Sequence, residues 1–307
     1  MVVTAGLVKA VSELQKQHQK GGELCLEDVS VSQLWKEYGF DLDANSVLID
    51  PHDGSIFGAI FIRRSSTGAG DPLPKVVIAF RGTMLQKATF KEDMANNWGC
   101  IFNGLHESTR VILGLTAVKA ILGNVAEDGV WLAGHSLGAA IALAIGRNLV
   151  LSMHLYLETY LFNPPMISLL DCNSPIKSGL VGLSSTLDKK LVNMDEILVL
   201  SEWIPHLFIN EFDWICNDFL THFESLNEME FSGGDVEENW MVKMNSFRTL
   251  VWNLLGNNKP QPPYLIPSAH LTINSKQPEG SMGSHRLRQW LNPELQQLRH
   301  WRFQARV

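Results

Sequence analysis

Residues 130–146, VWLAGHSLGAAIALAIG, constrain the fold of this chain more than any other stretch. Four apolar residues run into Gly134-His135-Ser136-Leu137-Gly138, and small apolar residues follow without a break. A serine between two glycines, where a buried strand gives way to a buried helix, reads either as a tight turn or as a nucleophile elbow. An elbow needs a strand entering, a helix leaving and a strained backbone that pushes the serine hydroxyl into the open. Glycines two residues either side let strand and helix approach without a Cβ clash. Helix N-termini also present backbone N–H groups and a positive dipole end to a developing oxyanion.

The surrounding pattern supplies that context. Residues 54–64, GSIFGAIFIRR, alternate as a strand does, and the Gly- and Pro-bearing loop SSTGAGDPLP follows. KVVIAFRGT, at 75–83, is a continuous β-branched run of the kind buried on both faces of a parallel sheet. Helical spacing over 106–122, a strand over 129–134, an all-round apolar helix after Ser136 and a strand over 159–163 complete the first half. This alternation predicts an α/β fold with right-handed crossovers and a mainly parallel sheet covered on both sides. Further on, the sequence predicts a strand over 206–210, a helix over 238–256, a last strand over 264–274 and a terminal helix over 284–301. Residues 166–204 read as an excursion over one end of the sheet. No linker or repeat interrupts the chain, so the expectation is one domain spanning 1–307.

A nucleophile needs a base, and the base an orienting acid; in this fold the chain order is serine, acid, histidine. Six histidines follow Ser136. His154 lies in a helix-to-strand connection, His206 starts a strand, His222 sits in an acidic helical stretch, His270 is inside a strand and His300 is near the chain end. His285, in PEGSMGSHRLRQW after a strand, has the address of the base, an address that a plain surface-loop histidine shares. Asp213 follows the strand HLFIN directly and is the first choice for the acid, with Asp195 second. Asp195 and Glu196 read as a solvated face, and Asp171 and Asp188 fall in the excursion. For the oxyanion, the backbone N–H of Leu137 is one expected donor and that of Thr83, after the strand ending AFRGT, the other. Arg81 is expected to pair with loop carbonyls rather than to clamp an anion.

Composition narrows the alternatives. A formal charge of −7 gives no basic footprint for nucleic acid. Cys25, Cys100, Cys172 and Cys216 form no CxxC pair, which argues against a disulfide framework or a zinc site and for a reducing, cytoplasmic setting. Residues 1–20 read as an amphipathic helix, without the basic start and apolar core of a secretory signal. The longest apolar run is interrupted by Arg147 before the roughly 20 residues a bilayer crossing needs. No transmembrane segment is expected, although a peripheral membrane contact stays compatible with this composition.

VVIAFRGT followed by VWLAGHSLGAAIA resembles the class 3 lipases of the α/β-hydrolase group. LIDPHDGSIFGAIF, YLFNPP, WIPHLFINEFDWIC, PSAHLTIN and SHRLRQWLNPEL resemble more closely a plant subgroup of lipase class 3-like proteins. The likeness runs over nearly the whole chain. Members are often labelled GDSL esterases, yet this sequence has no Gly-Asp-Ser-Leu block. The resemblance implies an α/β-hydrolase fold, an oxyanion position at Thr83, the acid at Asp213 and the base at His285. Arg288 stands where relatives carry a second histidine. It further implies a serine hydrolase acting on carboxylic esters of lipid or small-molecule type, with no metal or organic cofactor. A non-catalytic binding scaffold and an acyltransferase using the same triad are the rival readings. Residues 84–105 read either as a lid or as a packed connection.

Overall fold

A computed structural model of the protein describes residues 1–21, 26, 28–64, 72–83, 109–165, 194–230, 266–277, 283–292, 295 and 298–304. Their strands are β1 (Phe40–Asp41), β2 (Val47–Ile49), β3 (Ile56–Arg63), β4 (Val76–Phe80), β5 (Val130–His135), β6 (Glu158–Phe162), β7 (His206–Asn210), β8 (Ala269–Asn274) and β9 (Leu298–Phe303), all in one sheet. From β4 to β8 neighbouring strands are parallel and lie in chain order. β3 joins β4 antiparallel, β1 and β2 share the outer edge of β3, and β9 closes the other side antiparallel to β8. Every residue of β4 is buried, as its β-branched run requires of a central strand.

The strand order dictates where the helices go. When parallel strands advance in one direction through right-handed crossovers, every crossover lands on the same face of the sheet. Helices α3 (Thr109–Leu122), α4 (Leu137–Met153), α5 (Met194–Ser201) and α6 (Asn217–Glu230) accordingly share one hydrophobic core with Val76, Ile78, Leu132, Leu161, Leu207 and Leu271. The opposite face needs its own cover. Helix α1 (Val2–Gln19) provides it over β3, β4 and β5, burying Leu7, Val8, Val11 and Leu14 against Val77, Ala79 and Ala133. Helix α2 (Val29–Lys36) adds Trp35 to this second core, its N-terminus capped by the Asp28 carboxylate accepting from Ser30 N. This arrangement, with an elbow at the end of β5, is the α/β-hydrolase fold expected from the sequence.

One expectation is overturned. The segment 284–301 forms no terminal helix; it makes short 3-10 turns at Gly283–His285 and Leu287–Leu291 and then strand β9. Apolar residues Trp301 and Phe303 recur at a period of two, and the free edge of β8 offers ladder partners in full register from Ala269↔Phe303 to Asn274↔Leu298. Over Leu298–Phe303 this edge pairing decides for strand rather than helix. β8 is therefore not the last strand. Residues 84–105, read as a lid or a packed connection, residues 166–193 of the excursion and the helix expected at 238–256 lie outside the described residues. Among the described residues no helix is long and apolar enough to cross a membrane.

Candidate active site

Strand β5 delivers Ser136 to the C-terminal edge of the sheet with φ 54° and ψ −124°. A non-glycine residue at such a φ carries about 1–3 kcal/mol of backbone strain, which neighbouring contacts must hold. They do so from both sides. Ser136 N donates to Phe162 O at 3.0 Å, while Ser136 O accepts from Ala139 N and Ala140 N at 2.9 and 3.1 Å. The glycines are required by contact: a Cβ on Gly134 would lie 2.2 Å from Gly138 O, and one on Gly138 would lie 2.3 Å from Phe80 O. Serine at a helix N-cap ordinarily turns its hydroxyl back to the helix N–H groups. Ser136 makes no such bond, and its Oγ lies 2.8 Å from His285 Nε2 instead.

His285 is brought to the serine across 149 residues by the Gly283–His285 turn and is buried with it. Its Nδ1 lies 2.7 Å from Asp213 Oδ2. A carboxylate can only accept, so Nδ1 carries the proton and Nε2 is left as acceptor for the serine hydroxyl. Asp213 is fully buried on the turn after β7, where Oδ1 accepts from Ile215 N at 3.2 Å. Oδ2 accepts from Asn163 Nδ2 at 2.6 Å and from the Cys216 thiol at 3.2 Å as well as from His285. Burial alone would raise the Asp213 pKa, but the hydrogen bond and charge of His285, with the Cys216 and Asn163 donors, hold it below the usual carboxylate value. The Cys216 thiol moves the other way: burial and the adjacent carboxylate push it up, so it stays protonated and donates.

Two more side chains converge on the turn that carries His285. His135, the residue before the serine, has Nε2 2.7 Å from His285 O. A carbonyl only accepts, so the proton of neutral His135 resides on Nε2. Burial and the neighbouring His285 lower its pKa to about 3, which keeps the ring neutral. Asn163, buried and with φ 45°, donates from Nδ2 to Ser284 O at 3.1 Å and accepts at Oδ1 from Trp290 Nε1 at 2.6 Å. Trp290 is itself fully buried among Ala5 of α1, Phe162 and Phe208. The N-terminal helix thus buttresses the wall behind His285.

The positions expected from the sequence to face an oxyanion lie at the end of β4 and the start of α4. Leu137 is the first residue of α4, and the first N–H groups of a helix have no intrahelical acceptor. The turn after β4 packs onto the elbow: a Cβ on Gly82 would lie 3.0 Å from the Ser136 Cβ, and Thr83, next in the chain, is exposed. Arg81 is buried and spends its guanidinium on the carbonyls of Ile56 and, at 2.7 Å, Gly82. It shapes the turn, as the sequence suggests, and burial lowers its pKa to about 10.

The structure therefore brings Ser136, His285 and Asp213 into one hydrogen-bonded relay, with Leu137 next to the serine and Gly82 packed against it. The other described residues weighed for base and acid form no part of this relay. His206 pairs with Glu158 at 2.9 Å, and His222 is buried in α6. Asp195 belongs to α5, Asp171 and Asp188 fall outside the described residues, and Arg288 is exposed. Asn163, His135 and Cys216 went unread in the sequence. Their one visible signal is an amide ending the apolar run TYLFN just before Pro164-Pro165. Among the described residues no group of three or more His, Cys, Asp or Glu is disposed to hold a metal ion.

Strand order, crossovers and elbow define an α/β-hydrolase fold. Over 309 aligned residues the chain is 30% identical to an Arabidopsis thaliana protein named GDSL esterase/lipase, covering 91% of this chain and 84% of that protein. The chain belongs to this esterase/lipase family. No family model matches the sequence. Among solved structures, a lipase from Rhizopus microsporus var. chinensis overlaps 70% of this chain and 67% of its own, at 15% identity and a TM-score of 0.33. A capsule O-acetyltransferase of Neisseria meningitidis serogroup A overlaps 69% of this chain and all of its own, at 16% identity and a TM-score of 0.30. Both superpositions are loose, and the fold assignment rests on this chain's own topology.

Proposed function

We propose that the protein is a serine hydrolase that cleaves carboxylic acyl esters through a Ser136–His285–Asp213 triad. The observation that supports this most is the continuous relay from Asp213 Oδ2 through His285 to Ser136 Oγ, at 2.7 and 2.8 Å, on a serine held at positive φ. Ser136 Oγ attacks the acyl carbon as its proton passes to His285 Nε2. Asp213 stabilises the imidazolium without taking the proton. The carbonyl oxygen gathers negative charge, which the N–H groups of Leu137 and Thr83 receive at the positive end of α4. Collapse expels the alcohol, protonated by His285, and leaves an acyl-serine. Water, deprotonated by His285, then attacks that acyl carbon; collapse breaks the bond to Ser136 Oγ, which takes the proton back from His285, and the carboxylic acid leaves. No step calls for a cofactor. Family membership supports ester chemistry and leaves the acyl chain and alcohol to experiment.

The test is fluorophosphonate labelling with peptide mapping on the wild type, Ser136→Ala and His285→Ala, beside turnover of a p-nitrophenyl acyl ester. Labelling confined to Ser136, absent in Ser136→Ala and slowed in His285→Ala, with turnover abolished by Ser136→Ala, is the expected result. A folded wild type that takes up no probe would replace catalysis with the scaffold reading. Acyl transfer to an added alcohol in preference to water would replace hydrolysis with the acyltransferase reading.

A further inference from the structure

We propose that Asn163 is the positioning residue that seats both the acid and the base of this site; the proposal rests on the triad reading above. One buried amide joins three separate elements. Its Nδ2 group donates to the Asp213 carboxylate on the turn after β7 at 2.6 Å and to Ser284 O, next to the base, at 3.1 Å. Its Oδ1 accepts from Trp290 Nε1, in the turn beyond the base, at 2.6 Å. Its own N–H donates to Phe208 O at 2.8 Å, and the preceding carbonyl, Phe162 O, accepts from Ser136 N at 3.0 Å. All three triad members are therefore referenced to residues 162 and 163.

The chemistry favours asparagine over other residues here. The site asks for donors toward a carboxylate and a carbonyl and for an acceptor toward an indole N–H, and a single primary amide offers both. The backbone sits at φ 45°, in the left-handed region that asparagine tolerates better than most side chains. His135 secures the same turn from the opposite side through His285 O, and Gln289 Nε2 donates to Ser284 O at 2.5 Å. Neither of them reaches the acid. Asn163 alone among these three holds acid and base in one relative position.

Two variants separate positioning from folding. Asn163→Asp keeps the shape and the acceptor for Trp290, but it donates to Asp213 only while protonated. Asn163→Gly tolerates the positive φ and removes the amide altogether. Both are expected to stay folded by circular dichroism and to label with fluorophosphonate about 10- to 100-fold more slowly, the range a hydrogen bond to a charged group carries. In Asn163→Asp the acid limb of the p-nitrophenyl ester pH profile should also move to higher pH, because added negative charge favours the imidazolium. Folded variants with wild-type labelling rate and acid limb would overturn the proposal.

If both variants unfold, the intact protein decides. With asparagine labelled by ¹⁵N, the Asn163 amide protons should shift when Ser136 is phosphonylated, and unmoved resonances would overturn the role. If the wild type takes up no probe, the triad reading fails on its own. The imidazole titration of His285, followed by NMR in wild type and Asn163→Gly, then answers for Asn163. Displaced curves support it and coincident curves overturn it.

Discussion

Ser136 holds a strained backbone and a hydroxyl turned away from its own helix, and both features make sense only if something else claims the hydroxyl. His285 claims it, and Asp213 determines which nitrogen of His285 is free to do so. The carboxylate matters as an acceptor for Nδ1–H. An amide at 213 can present N–H to the imidazole instead and stabilise the wrong tautomer. Asp213→Asn is therefore expected to lower ester turnover by about 10⁴-fold, the scale set by the same change in a serine protease triad. Steady-state kinetics on a variant shown by circular dichroism to be folded would check this; turnover within tenfold of wild type would remove Asp213 from the relay. Ser136, Asp213 and His285 have legible addresses in the chain because each lies after a run with strand periodicity. Asn163 and Cys216 were not legible in the same way. Nothing in TYLFN or DWIC tells that an amide and a thiol will meet a carboxylate from elsewhere in the chain.

The elbow is a contact between elements as much as a turn. Gly138 at the start of α4 lies against the end of β4, where an added Cβ would meet backbone atoms of Phe80 and Arg81 at 2.3–2.6 Å. Backbone in the middle of a sheet cannot give way as the tip of a side chain can. Gly138→Ala should destabilise the protein by about 3 kcal/mol or more. Gly54, with φ +68° and nothing within 4 Å, serves as the control; its alanine variant carries only conformational strain of roughly 1–2 kcal/mol. Urea denaturation of both variants reads the difference, and a Gly138→Ala protein as stable as wild type would mean that α4 is not seated on β4 in this way. At this scale the sequence was informative wherever a run had a single period. It misled at 284–301, where helical spacing near Trp290 continues into the period of two that forms β9. Which period wins there depends on the open edge of β8, and a neighbouring edge cannot be read from the segment itself.

At the scale of the whole molecule, His135 and His222 stand out among the described residues as histidines whose pKa the fold lowers far below the free value. Burial lowers His135 to about pKa 3 and His222 to about 4, against 6.5 for an unperturbed histidine. Unfolding below pH 6.5 lets each take up a proton that it refuses in the native state, so the unfolded state binds more protons and stability falls as pH falls. The loss runs from about pH 6.5 down to each folded value, with a limiting slope of about 1.4 kcal/mol per pH unit for each histidine. Asp213, whose folded pKa lies below 3.8, adds to the loss only under that value. Urea melts at pH 7, 6, 5 and 4 should show this acid-side decline, and His222→Gln should flatten part of it; a stability independent of pH over this range would contradict the burial of both rings. Local periodicity and turn chemistry, which act over a few residues, are what the sequence alone determined: a mainly parallel α/β sheet, an elbow at Ser136, and the loops on which Asp213 and His285 lie. Tertiary structure decided the rest, because a proton relay depends on tenths of an ångström between groups up to 149 residues apart. Only packing supplies that, through α1 behind Trp290, Trp290 on Asn163, and Asn163 between Asp213 and the turn of His285.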